Sequence, residues 1–317
     1  MKYIQSESGS GAIAYHSAER SQKNIIDYFI ENKDKIEREI YQCGGVLLRD
    51  FSIRSLSEFN TLVHLICSNV LDYIYRSTPR TNLGKKIYTA TEYPSDKAIV
   101  FHNENAYALK WPNKIIFFCV IAPQSGGETP LADSRCVFNK LNKELLDRFN
   151  KKKILYKRNY SVGLDLSWQE VFQTADKKIV EQYCDANQMQ YHWHDTNKSK
   201  IELTTKQICQ ASIKHPITHE NVWFNQAHLF HSSSLNEIDK NFLLSVVNEE
   251  NLSRNAYYGD ENLIAVDDIK HILEAYDSEK IVFRWQKGDV LILDNMLMAH
   301  ARNAFSGERK IAVAMGD

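Results

Sequence analysis

The sequence predicts a mainly β fold, a single strand-built core with helical flanks and a helical insert. Three observations carry that expectation. Seven short runs, "KKIYTATEY", "AIVFHNE", "KIIFFCVIA", "VWFNQAHLF", "KIVFRW", "DVLILDN" and "KIAVAMG", are rich in β-branched and aromatic residues and are bounded by Gly, Asn, Asp or Pro. Helical signals concentrate instead near the amino terminus and in 138–187 and 234–279. No internal repeat or low-complexity linker divides the chain, so one domain over 1–317 is expected, with an N-terminal helical flank over about 1–75 and a helical insert over about 138–190.

Taken in order, residues 20–42 read as a helix, because Ile25, Tyr28, Phe29, Ile36 and Ile40 recur near helical spacing among charges. The run "GGVLLRDF" follows as a short strand. Ser55 and Glu58 form a capping-box pattern before "FNTLVHLICSNVL", and Ser234 with Glu237 repeats the device before "IDKNFLLSVV". Thereafter strands bear the chemistry.

Composition excludes several function classes. Lys+Arg 39 against Asp+Glu 40 gives a net charge of -1, so no global field draws in nucleic acid or an anionic membrane. The start "MKYIQSESGSGAIAYHSAERSQ" lacks the apolar core of a secretory signal, and "KIIFFCVIA" is too short to span a bilayer. A cytoplasmic protein is expected. Its six cysteines show no CxxC spacing and read as reduced, structural thiols. Oligomeric state is not legible.

The stretch "AIVFHNE" ends an apolar strand in a histidine and a glutamate. In extended backbone His102 and Glu104 share a face, and an imidazole beside a carboxylate points to a bound cation. With 11 histidines and 40 acidic residues in 317 positions, about one His-x-acid pair arises by chance, so the pair needs support. His300, following "DVLILDN" at a strand end, is the best candidate for a third ligand. Two histidines and one carboxylate on one face of an octahedral ion leave positions open, as in non-haem Fe(II) oxygenases. Arg309 is expected to share the inward face of the last strand with Ile311, Val313 and Met315; a buried guanidinium there calls for a partner, either a local carboxylate or an anionic ligand gripped at two points. Thr129 lies in the glycine turn of "SGGETPLADSR" after the buried strand.

These residues resemble a known family. His102-Asn103-Glu104, "GGETPLAD" and "DNMLMAHARNAFSGER", together with "RSTPRT", "YTATEYP" and "HPITHENVWFNQAHLFH", are similar to the Fe(II)/2-oxoglutarate dioxygenases of the taurine dioxygenase and clavaminate synthase group, in look nearest to members that oxidise amino acids or aminoacyl groups in natural-product biosynthesis. The chain departs from the pattern at "THE", 218–220, and "HAR", 300–302, where a central glycine is expected; both lie outside the ligand positions. The resemblance implies a double-stranded β-helix, or jelly roll. It implies His102, Glu104 and His300 as ligands of Fe(II), Thr129 and Arg309 as the clamp on 2-oxoglutarate, and O2 as oxidant. It also implies hydroxylation with release of succinate and CO2, because halogenating relatives lack the carboxylate that Glu104 supplies; desaturation or cyclisation at the same iron is the alternative outcome.

The expected partner is an amino acid or an aminoacyl group on a carrier protein. Arg76, Arg80, Tyr93, Asn105 and Arg302 are candidate substrate contacts. His215, His228 and His231 are expected to shape the pocket without touching metal. Two rival readings remain: a non-catalytic jelly-roll binding module, and a zinc hydrolase built on His192, His194 and Asp195 of "YHWHD".

Overall fold

The computed structural model describes residues 2–18, 23–73, 75, 78, 80–160, 165–197, 200–235 and 237–317. Its centre is an eight-stranded sheet with the order Lys2–Gln5, Ala12–Ser17, Gly45–Arg49, Val290–Asp294, Lys114–Ile121, Lys310–Gly316, Ile87–Thr89 and Asn82–Gly84. Facing it is a four-stranded sheet, Lys280–Ile281, Leu131–Asp133, Met298–Arg302 and Ile99–His102. The hydrogen-bonded order closes neither into a barrel, and the pair forms an open jelly roll.

The period of two along the central strands decides what each face buries. Ile116, Phe118, Val290, Ile292, Ala312 and Ala314 turn outward against two helices. Their neighbours Ile115, Phe117, Leu291, Leu293, Ile311 and Val313 turn inward against Leu131, Met298, Phe283 and Trp285. The first helix, Ile25–Cys43, starts where the Asn24 side chain accepts from the backbone N–H of Ile26 and Asp27, and it ends at Gly44, whose φ of 76° suits a residue without Cβ. The second, Leu56–Ile66, is capped by Ser55, but Glu58 reaches back to the N–H of Arg54 rather than closing the box on Ser55.

Several sequence expectations need correction. The segment 1–75 is not merely a helical flank, since three of its strands extend the large sheet. The region 138–190 does hold helices, Ser134–Lys140, Lys143–Lys152, Trp168–Phe172 and Lys177–Ala186, yet Ile154–Tyr160 is a strand. It pairs with Lys200–Cys209 and Arg254–Tyr258, and Gln190–Asn197 completes a second four-stranded sheet. The charged "KRNY" end hides it from pattern reading, because Arg158, under the Tyr75 and Tyr107 rings, and Asn159, bonded to Leu252 O, are buried by partners distant in sequence. The run 222–230 is extended only through Trp223, after which the Asn225 side chain bonds Ala211 O and Ala227 N–H and turns the chain into the helix Ala227–Phe230. Ser234 lies in a 3-10 turn ahead of the helix Glu237–Val246, and its hydroxyl donates to His228 O. A capping box of Ser167 with Glu170 opens Trp168–Phe172.

Among the described residues no helix is long and apolar enough to cross a membrane. All six cysteines are free.

Candidate metal and cosubstrate site

His102 and His300 are directly opposite one another on neighbouring antiparallel strands, with ring centroids 4.3 Å apart. The register alone brings them together. On the strand Met298–Arg302 the period of two points Met298, His300 and Arg302 toward the large sheet, where Phe117 meets the His300 ring edge-on, and sends Ala299 and Ala301 to the core of the insert. Glu104 arrives differently from the sequence expectation. The strand ends at His102, the chain turns at the fully buried Asn103, and the carboxylate swings in from that turn. The donor atoms of His102, Glu104 and His300 then lie within 4.8 Å of one another, the one such group among the described residues.

What holds the turn is an amide ladder that sequence reasoning missed. Asn295 accepts from Glu104 N–H at 2.8 Å and donates to Glu104 O and Pro112 O, each at 2.9 Å. Asn103 donates to Asn295 O, and Gln226 donates to Asn103 O. His228 props the strand from behind by donating to Phe101 O at 2.7 Å, and its own value is pushed down to about 4 by burial. The sequence hint is an Asp-Asn pair, Asp294-Asn295, at the end of the apolar run "VLIL".

Burial and protonation both favour metal binding. His102 donates from Nδ1 to Val100 O at 2.9 Å, which leaves Nε2 with its lone pair. Burial lowers the His102 pKa, against the attraction of Glu104, and lowers that of His300 well below the usual imidazole range. His300 Nδ1 is buried without a hydrogen-bond partner among the described residues. Two imidazoles whose charged form burial disfavours, a carboxylate and an unsatisfied ring nitrogen fit a divalent cation with positions left open.

Beside this triad runs a cavity lined by Arg80, Thr129, Arg302 and Arg309 as well as both histidines. Arg309 precedes the last strand, Lys310–Gly316, rather than belonging to it, and a register irregularity follows it. Its Nε donates to Gly127 O at 2.9 Å, and Nη2 lies 3.4 Å from the Thr129 hydroxyl, which also accepts from the Trp285 indole at 3.0 Å. Burial, reinforced by the neighbouring Arg302, lowers the Arg309 pKa to about 10. No carboxylate pairs with it among the described residues, so the local ion-pair alternative is not what the fold uses. A dianionic ligand would relieve the cost of that buried charge.

The other sequence candidates separate. Arg80 donates to Glu104 Oε2 at 2.7 Å. Arg302 spends its guanidinium on Tyr93 O, Pro94 O and Lys97 O, so it ties down the 93–97 loop. Tyr93 is largely exposed with its ring 5.8 Å from that guanidinium. Asn105, with φ 56°, faces a separate groove beside Trp111 and Met296. Arg76 lies outside the described residues. His192 and His194 do share a face of Gln190–Asn197, but His194 is bonded to the Thr204 hydroxyl and no third ligand joins the pair among the described side chains. His215 is buried against Asp294, and His231 against Ile264 O.

Comparison with known proteins places these features in context. Residues 20–315 match the family model described as taurine catabolism dioxygenase TauD, TfdA family. The dapdiamide synthesis protein DdaC of Enterobacter agglomerans is 38% identical over 98% of this chain and 92% of its own. A clavaminate synthase-like protein of Arabidopsis thaliana is 27% identical over 89% and 84%. Among solved structures, PvcB of Pseudomonas aeruginosa, an Fe, alpha-ketoglutarate dependent oxygenase, aligns over 99% of this chain and 89% of its own with a TM-score of 0.55 at 12% identity. An asparagine oxygenase solved with Fe(II), 3-hydroxyasparagine and succinate aligns over 92% and 79% with a TM-score of 0.56, also at 12% identity, a likeness of fold.

Proposed function

The chain belongs to the TauD, TfdA family of dioxygenases, and from that premise we propose that it is a cytoplasmic hydroxylase of an amino acid, free or carried as an aminoacyl group on a carrier protein. Fe(II), 2-oxoglutarate and O2 are its cofactor and cosubstrates, and the reading takes 1–317 as one dioxygenase domain. The observation that carries it is the convergence of His102, Glu104 and His300 within 4.8 Å beside a cavity that Arg309 and Thr129 also line. A cytoplasmic setting agrees with six unpaired thiols. The amino acid class is supported by the asparagine oxygenase among the fold neighbours.

In this reading His102 Nε2, a carboxylate oxygen of Glu104 and His300 hold iron, whose redox chemistry with O2 and the keto acid supplies the oxidising power. The chain's own contribution is placement. Asn295 fixes the backbone of Glu104 at both N–H and C=O, and Arg80 occupies Oε2, so one oxygen remains to face the metal. Arg309 and Thr129 grip the distal carboxylate of 2-oxoglutarate, with Gly127 O and Trp285 holding them in orientation. Phe117 and the apolar inter-sheet core keep bulk water from the site.

Anaerobic addition of Fe(II) and 2-oxoglutarate tests this directly. A visible metal-to-ligand charge-transfer band in the wild type, absent from His300→Ala, is expected, followed under air by a gain of one oxygen in an amino acid or its carrier-bound form by mass spectrometry. A protein that stays colourless would favour the non-catalytic binding module.

A further inference from the structure

Arg80 holds the deepest unexplained charge in the site. The residue is 8% exposed, and its guanidinium lies over the Tyr73 ring, 4.4 Å from the centroid, which fixes its plane. Glu104 Oε2 takes one N–H of Nη2 at 2.7 Å. Nε and Nη1, which carry three further N–H bonds, are buried and have no acceptor among the described residues. Buried donors are seldom left unmade, and a guanidinium offers them in the planar arrangement that suits a carboxylate.

The charges around it point the same way. Among the described residues the cavity is lined by Arg80, Arg302 and Arg309 and by no carboxylate, and Glu104 pairs with the first of them. On the iron-oxygenase reading above, Fe(II) and 2-oxoglutarate bring equal and opposite charge, so the loaded site stays positive. Arg302 is already committed to three carbonyls of the 93–97 loop, and Arg309 to Gly127 and Thr129. Arg302 leaves only its Nε without an acceptor among the described residues, and the free donors of Arg309 belong to the 2-oxoglutarate clamp, whereas Arg80 leaves both Nε and Nη1.

We propose that the unused N–H groups of Arg80 form a second carboxylate subsite beside the metal, separate from the Arg309–Thr129 end of the cavity. Two carboxylates have the right chemistry: that of an amino acid substrate, and the keto-acid carboxylate of 2-oxoglutarate. The residual positive charge favours the substrate, and the assignment then makes a free α-carboxylate part of what the enzyme selects.

Anaerobic titrations of the full chain loaded with Fe(II) separate the two. Arg80→Lys keeps a cation near Glu104 and removes the planar set of donors. With 2-oxoglutarate saturating, glycine is added and compared with glycinamide, reading the charge-transfer band and the melting temperature. The expected result is a saturable response to glycine, none to glycinamide, and a loss of about tenfold or more in glycine affinity in Arg80→Lys, with 2-oxoglutarate affinity preserved. A loss of similar size in 2-oxoglutarate affinity instead, with iron still bound, assigns the subsite to the cosubstrate. The subsite is refuted if Arg80→Lys, melting like the wild type, binds 2-oxoglutarate normally while glycine elicits no response in the wild type or an equal response in both. Failure of the wild type to bind Fe(II) or develop the band would strike the iron reading itself, a different result.

Discussion

Replacing Asn295 with alanine should damage folding and metal binding together. The residue is fully buried, and its amide satisfies three backbone groups: Glu104 N–H, Glu104 O and Pro112 O. Each buried group left without a partner costs about 1–3 kcal/mol. Water entering the vacated space recovers part of this, which leaves about 3–6 kcal/mol. Against a total stability of about 5–15 kcal/mol that is a large fraction. At about 2 °C per kcal/mol for a chain of this size, the melting temperature should fall by about 6–12 °C. Freed from its clamp, the Glu104 turn should also lose orientation, at a cost of about 10–100-fold in Fe(II) affinity. Thermal melts of the metal-free protein and anaerobic Fe(II) titrations measure the two effects. Asn295→Asp keeps one acceptor, loses both donors and adds a charge beside the buried Asp294, so it should melt at least as low. An Asn295→Ala protein that melts within about 2 °C of the wild type and binds iron normally would show that this ladder does not hold the site.

Other outcomes follow from single contacts. Gly127→Ala places a Cβ 3.0 Å from Arg309 Cδ and 2.8 Å from Pro123 Cγ at a φ of +68°, so it should weaken 2-oxoglutarate binding as Arg309→Ala does, while Fe(II) titrations stay unchanged for both. Because His228 is held at about 4 in the fold, its contribution to stability is present above its unfolded value near 6.5 and is lost as the pH falls toward 4, worth about 3 kcal/mol. Urea melts at pH 7 and pH 4.5 should therefore differ less in His228→Gln than in the wild type, and an undiminished difference would place the acid sensitivity elsewhere. His194→Ala removes a bond to an exposed-strand hydroxyl and should leave Fe(II) and 2-oxoglutarate titrations untouched; loss of a visible band in that variant would reopen the zinc-site reading of "YHWHD".

The residues themselves determined that a β core with two outer helices would form, because alternation along "KIIFFCVIA", "DVLILDN" and "KIAVAMG" and the caps at Asn24 and Ser55 are local physics. Through their resemblance to a family's motifs they also pointed to His102, Glu104, His300, Thr129 and Arg309 as the candidate set. Tertiary structure alone decided how those groups meet. The pairing of His300 with His102 is a register between strands nearly two hundred residues apart, and no local pattern encodes it. Glu104 reaches its partners from a turn rather than a strand face, because distant amides complete the turn's hydrogen bonds, Asn295 at Glu104 and Gln226 at Asn103 O. The insert sheet escaped reading for the same reason: Arg158 and Asn159 look like surface residues until the Tyr75 and Tyr107 rings and carbonyls from other segments bury them. Arg80 shows the general rule, since a charged side chain announces its residue type in the sequence, while its cost, its partner and its spare donors exist only once burial has removed water from around it.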